Sequence, residues 1–526
     1  MSKLDVKRHT IKMSGTSENN KRIAKNTLLL YFRMMLIIII TLYTSRVILN
    51  TLGVEDYGIY NVVGGVITML GFLNGSLGGA SSRFITFALG KGDKNELQNV
   101  FSTVLSVHFL LAGIIVLLAE TVGLWFVCNK LVIPAERMTA ALWVYHCAIL
   151  TMVITIISVP YNALIIAYER MDAFAYISIL EVVLKLVIVW MLVYIPADKL
   201  IVYALLYLVV QFIIRMSYSR YCSTHFREIK PKLQWNIPLM KKISTYAGWT
   251  VNGNLAVMGY TQGINILLNL FFGPAVNAAR GVAVQVQTAI MSFVQNFQMA
   301  VRPQIIKSFA TNDLTYMHKL IIASSKYGFF LLLLLAFPIM FGIDAILKIW
   351  LGIVPEHTAN FVRIMLFVGM IEPLSVSLIN AIHATGDIKK FQIYEGSALL
   401  SIVPIAYVLL KVYHITPEAV MWVYFGVALI TQGIRIWIVL PKVSMKYSVY
   451  MQQIALPLLL PLGCFLLPFA FFSIQEDCSL GTLVLYALGG GLYMLICVYL
   501  LGTTVVEKKF LMKFIKEKIR YGKYKS

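Results

Sequence analysis

The stretch NTLLLYFRMMLIIIITLYTSRVILN, residues 26–50, carries only two charges, Arg33 and Arg46. About 20 mostly apolar residues in an α-helix cross the hydrocarbon core of a bilayer, so this run is long enough to span one. The 25 residues ahead of it are polar and basic, and no small-residue cleavage site follows the apolar run. It therefore reads as a retained first span rather than a removed leader.

Outward from this run, polar breaks divide the 526 residues into fourteen apolar stretches of similar length. The segments between them fall alternately on two sides. One side holds 35 of the 45 Lys and Arg residues, among them the N-terminal tail, Arg83, Arg170, the run from Arg215 to Lys242, Arg302 and the C-terminal tail. The other holds seven: Lys130, Arg137, Lys199, Arg280, Lys348, Arg363 and Lys411. Arg33, Arg46 and Lys185 remain inside spans. Basic loops stay cytoplasmic during insertion, so both termini are expected inside and the span count even. A net charge of +21 in a soluble chain would suggest nucleic acid. Here, with 59% hydrophobic residues, it follows from basic loops facing anionic headgroups, and no nucleic-acid partner is expected.

Several chemistries are excluded. The segments between spans are too short to fold as a domain, and no G-x-x-x-x-G-K-[ST] phosphate cradle exists. Ser/His/Asp sets and paired catalytic carboxylates in a shared loop are missing. The six cysteines show no CxxC and no metal-ligand spacing; Cys128 and Cys478, both on the outer side, could pair with each other but read first as free thiols. Glu55-Asp56 could hold a metal in a membrane glycosyltransferase, but Gly53 and Tyr57 beside it suit a turn or helix cap. The expectation is a protein without catalytic residues, metal or cofactor: not an enzyme.

The chain repeats. LNTLG at Leu49–Gly53 answers LNLFFG at Leu268–Gly273. GASSRFITFALGKGD, with Arg83 near the inner end of span two, answers MAVRPQIIKSFATND, with Arg302 at the same place in span eight. Ala167 and Phe174 bracket the loop after span four as Ala384 and Phe391 bracket the loop after span ten. These matches lie at offsets of 217 to 220. Six spans per repeat give both halves the same orientation, related by a pseudo-two-fold along the membrane normal. The expected plan is all-α and polytopic: a basic tail (1–25), a six-helix bundle (26–222), a basic linker (223–242), a second six-helix bundle (243–447), a transmembrane pair (448–505) and a basic tail (506–526).

Polar faces within spans mark candidate sites. In span eight Asn277, Arg280, Val284, Gln287, Met291, Gln295, Gln298 and Arg302 follow at steps of three and four, one face of a helix. Span seven adds Gln262, Asn265 and Asn269. Amides facing lipid would lack partners, so this face must meet protein or water. It serves either interhelical hydrogen bonding or a cavity lining, and amides that donate and accept suit sugar hydroxyls. The glycines of span two (Gly64, Gly65, Gly71, Gly75, Gly78, Gly79) recur at helical spacing, as for close helix approach or a bendable element. Arg46, with Asn50 a turn on, must face the interior. Arg33 either does so too or snorkels to the inner headgroups. Arg46 and Arg280 facing a cleft would make a bidentate seat for a diphosphate, with Arg33 nearby. Glu181 and Lys185 are one turn apart and should neutralise each other. With Glu372 and Glu395, which serve interhelical ion pairs equally well, they are the candidates for ion coupling.

NTLLLYFRMMLIIIITLYTSRVILNTLGVEDYGIYNVVGG, followed by GGASSRFITFALGKGD, resembles the Wzx-type polysaccharide flippases of the multidrug/oligosaccharidyl-lipid/polysaccharide exporter superfamily, and the likeness covers essentially the whole chain. The resemblance implies a V-shaped bundle pair with a central cavity. It also implies export of undecaprenyl-diphosphate-linked oligosaccharide across the bacterial inner membrane by alternating access, for O-antigen, capsule or exopolysaccharide assembly. Membrane lipids, a polysaccharide polymerase and a chain-length regulator are the implied partners. Related flippases place arginines of spans one, two and eight around the diphosphate. Arg46 and Arg280 lie in comparable regions, whereas Arg83, at the inner end of span two, is left outside the seat.

The alternative is a cation-coupled drug exporter, which would need an acidic site. An anionic lipid moving outward gains about 2.3 kcal/mol per charge per 100 mV, and the charges on spans one and eight are basic. A membrane glycosyltransferase or polymerase fits less well, because no long outer loop exists.

Overall fold

The structure is a computed structural model that describes residues 3–68, 71–131, 133–351, 353–470, 480–504 and 507–509. Some side chains within its helices, those of Arg46, Asn50 and Glu55 among them, lie outside the described residues, as does Cys478. Among the described residues the regular structure is all helical. In order the helices are α1 (Lys3–Thr68), α2 (Gly71–Lys91), α3 (Lys94–Leu118), α4 (Leu124–Asn129), α5 (Met138–Ala167), α6 (Met171–Tyr194), α7 (Lys199–His225), α8 (Ile237–Phe272), α9 (Pro274–Ala310), α10 (Leu314–Leu351), α11 (Thr358–Thr385), α12 (Lys389–Leu400), α13 (Ile402–Tyr413), α14 (Pro417–Lys442), α15 (Tyr447–Tyr450), α16 (Leu456–Leu466) and α17 (Leu480–Cys497).

Among the described residues twelve helical stretches are long and apolar enough to cross a membrane, and the chain is a multi-pass membrane protein. The expected count of fourteen needs α2 and α9 as well, and neither is among the twelve. Glycine and serine dilute the first and glutamine the second, which is what a helix turned from lipid toward polar neighbours can tolerate.

Backbone conformation follows the repeat. Gly53 breaks α1 with φ 80° and ψ 168°. Positive φ occurs at Gly53 and Gly273, at Gly92 and Asn312, and at Glu169 and Gly386, each pair on the repeat diagonal. A left-handed residue ends a helix by letting the chain turn without unpaired carbonyls, so equivalent helices stop at equivalent places.

By its internal contacts the chain divides into two units. Unit 1 comprises Met1–Asn254, Met299–Asp313 and His383–Gln392; unit 2 comprises Leu255–Gln298, Leu314–Ile382 and Ile393–Ser526. In unit 1, α5 packs against α1, α2, α3, α6 and α7. Asp93 caps α3 by accepting from the Asn95 and Glu96 amides. Asp198 caps α7 and also receives Arg137 Nη1 at 2.6 Å, while Arg137 Nη2 holds Asp56 at 2.6 Å. Hydrogen bonding from Arg137 keeps the Asp198 carboxyl below its usual range. Asp56, half of the sequence's acidic pair, thus carries a counter-ion. In unit 2, α10 packs against α16 and α17, and buried Lys326 binds Glu507 at 2.7 Å.

Candidate functional site

Arg83 and Arg302, the arginines that the repeat pairs, come together in unit 1 around Tyr246 and His383, within electrostatic range of both. Arg83 lies near the end of α2 and is 5% exposed. Its Nε and Nη2 donate to the His383 and Ala384 carbonyls, each at 3.3 Å. Those carbonyls end α11, where no further turn supplies donors and a cation is favoured. Gly386 makes the close approach possible: a Cβ there would stand 2.4 Å from Arg83 Nη2. The faces of Phe84 and Phe87 cover the guanidinium at 4.7 and 4.8 Å.

Arg302 is less well held. Its Nη2 reaches the Gly79 carbonyl at 3.5 Å, and its Nε has no partner. The Tyr246 hydroxyl and His383 Nε2 are buried and unpartnered too, their rings packed edge to face at 5.8 Å. Among the described residues neither arginine has a carboxylate within ion-pairing distance. One buried and one partly buried cation without counter-charge, together with three unsatisfied polar atoms, are costly to maintain. Such a set is preorganised for an anion with several oxygens, which guanidiniums bind in paired fashion. A turn further along α9, Gln304 and Lys307 hold the Glu169 carboxylate, which Arg22 also approaches at 3.6 Å.

The other residues singled out from sequence are dispersed. Arg46 and Asn50 lie outside the described side chains. Arg280, 3% exposed in unit 2, donates to Asn265 Oδ1, and Asn265 donates to Gln262. Along α9 it stands 22 residues before Arg302 in sequence. Arg33 stacks on Phe174 at 4.4 Å in unit 1. It lines a cavity of about 380 Å³ with Glu181 and Lys185, which pair at 2.7 Å as their spacing predicts. Arg33 therefore does not join the Arg83–Arg302 cluster.

The span-eight stripe divides. Gln298 is buried by Ser324, Ser377 and Asn380, and Gln287 donates to the Met365 carbonyl, so these two serve helix contacts. Gln295, Gln262 and Asn269 are exposed, and Asn277 keeps a buried Oδ1 without a partner. Glu372 and Glu395 lie together in unit 2 near Arg435.

Sequence reasoning left Arg83 out and did not find Tyr246 or His383. The repeat diagonal that matched Arg83 with Arg302 was the available signal for the arginines. Nothing local marks the other two, since Tyr246 and His383 meet only through tertiary packing.

The chain matches the family described as polysaccharide biosynthesis protein over residues 23–309, more than half its length. It is also similar to solved transporters: a MATE in the straight conformation (14% identity, TM-score 0.69) and an outward-facing multidrug resistance MATE family transporter of the MOP superfamily (13%, 0.71). A MOP superfamily transporter from Pyrococcus furiosus, described as having a binding pocket of reverse polarity, is likewise similar (14%, 0.69). Each alignment covers 81% of this chain and 96% of the other. At such identities the likeness shows the fold. Comparison with curated protein sequences gives no match.

Proposed function

The chain belongs to the polysaccharide biosynthesis protein family, and on that premise we propose that this membrane exporter flips undecaprenyl-diphosphate-linked oligosaccharide across the bacterial inner membrane. One observation carries the reading: the repeat-equivalent arginines converge with no counter-anion among the described residues, beside a free hydroxyl and a free imidazole nitrogen. The excess of basic residues in the loops on its side supports a cytoplasmic position for this cluster, where a lipid-linked precursor would be loaded. There the diphosphate takes the two guanidiniums as counter-charges.

Arg280, at the far end of α9, is the second station, and the exposed amides Gln262, Asn269 and Gln295 accompany the glycan. The polyprenyl chain stays in lipid. Outward movement of the anion follows the inside-negative potential.

The second reading is export of drugs, favoured by the multidrug transporters that share the fold. In a strain lacking the chromosomal copy, the flippase reading expects lipid-linked glycan to accumulate in the inner leaflet. The drug reading expects hypersensitivity with normal glycan. Arg83→Ala with Arg302→Ala should reduce glycan export at least a hundredfold at unchanged expression. Wild-type export by that double variant removes the site. Polymerase and chain-length regulator remain the proposed partners.

A further inference from the structure

Unit 1 turns an acid and an imidazole outward, on a face that otherwise suits lipid. Glu120 stands on the π-helical turn Ala119–Gly123 between α3 and α4, and His146 stands on α5. His146 Nδ1 and Glu120 Oε1 meet at 3.2 Å, with the two side chains still 47% and 41% exposed. Among the described residues neither makes a second hydrogen bond. Their surroundings are apolar and open: Leu117 and Val122 beside Glu120, Trp143 and Leu150 beside His146.

The pair lies inside the membrane rather than at its edge. Both residues belong to stretches long and apolar enough to span it. Trp143 and Trp125, the latter under the Lys130 ammonium at 5.5 Å, are the aromatic side chains of a membrane boundary. Glu120 and His146 come deeper in their helices than these tryptophans. Nine residues of chain separate His146 from Arg137, the loop cation held by Asp56 and Asp198, which is roughly 13 Å at helical rise. The placement is also fixed. The Tyr145 hydroxyl donates to the Ala119 carbonyl at 2.6 Å, which ties the π turn to the residue before His146. Gly123 leaves space for that hydroxyl, where a Cβ would collide with it.

Polar atoms open to acyl chains forgo hydrogen bonds that only a partner within the membrane supplies. Wherever the shared proton rests, the pair is neutral, with an acidic end on one helix and a basic end on its neighbour. Two copies inserted the same way are related by a two-fold along the membrane normal. That operation reverses any direction lying in the membrane plane. Glu120 of one copy then meets the partner's His146, and the converse, so the patch complements itself. The apolar neighbours follow suit. Because α3 and α5 run antiparallel, Leu117 and Leu150 lie on the same side of the pair, one turn away. Each Leu117 therefore comes opposite the partner's Leu150.

We propose that this patch joins two copies of the chain within the membrane, with Glu120 of each bonded to the partner's His146. The proposal is independent of what is exported.

Energy transfer between donor-tagged and acceptor-tagged copies of the full chain, reconstituted in liposomes at falling protein density, reads the association. Wild-type transfer should exceed random mixing and halve at a definite density. Glu120→Leu with His146→Leu should raise that density at least tenfold. Glu120→His alone presents two bases and His146→Glu alone two acids, so each should stay apart from its own kind. Mixed together, these two variants should associate within about threefold of the wild type. Under copper phenanthroline, a Leu117→Cys copy should form a disulfide with a separately tagged Leu150→Cys copy. Wild-type transfer no better than random overturns the proposal, and any occupant of the face is then a different protein. A midpoint unmoved by the two leucines, or a mixture that stays apart, overturns it as well. Should a polar variant lose its helical circular dichroism, the wild-type transfer and the cross-link decide, and absence of either one sinks the pairing.

Discussion

Gly386 shows how much one hydrogen atom sets in this protein. Its φ of 79° is one that side chains resist, and a Cβ would enter the space of the Arg83 guanidinium. Gly386→Ala should cost about 1 kcal/mol through backbone strain alone and displace Arg83 as well. Thermal unfolding in detergent and glycan export measure the two effects separately. Export should fall toward that of Arg83→Ala; export at the wild-type level would mean that Gly386 does not set the arginine's place. Lysine should not replace either arginine, because its ammonium offers no planar pair of donors. At this scale the sequence was partly legible. Arg302 and Arg83 stood out because a repeat matched them. His383 and Tyr246 belong to helices far apart in sequence, and their unpartnered atoms are properties of packing, which no spacing encodes.

Among the elements, α9 is the most instructive. Its polar positions fall at steps of three and four, and that period held; what differed was where the stripe turns. Three residues on a helix leave a rotation of about 60°, wide enough for Gln298 to enter packing while Gln295 stays exposed. Gln298 lies against α10 and α11, beside Pro373, whose ring removes a donor from the α11 ladder. Its amide joins that region to the neighbouring helices. Gln298→Leu should lower unfolding stability by about 1 kcal/mol, near the usual value for a polar contact between membrane helices, while export changes little. Gln295→Ala should do the reverse. An export defect without destabilisation in Gln298→Leu would return that residue to the substrate path. Hydropathy alone understated α2 and α9, the helices that carry the paired arginines, because small residues dilute the one and amides the other.

For the molecule as a whole, the sequence supplied membrane class, helical fold and repeat, since each rests on runs and periods that survive any tertiary detail. The division into units was not legible in the same way. Met299–Asp313 and His383–Gln392 join unit 1 through contacts such as that of Lys307 and Gln304 with Glu169. Glu169→Gln should destabilise unit 1 by about 3 kcal/mol, the scale for a buried carboxylate removed from its cation. Adding Lys307→Met should recover part of that loss, and additive effects in the double-variant cycle would deny the pairing. The matched left-handed residues carry a consequence for descent. If a single six-helix segment was duplicated to make this chain, Arg83 and Arg302 were once the same codon. An ancestor with one copy would then have needed two polypeptides to assemble the pair, so the place where they meet would have begun as a homodimer interface.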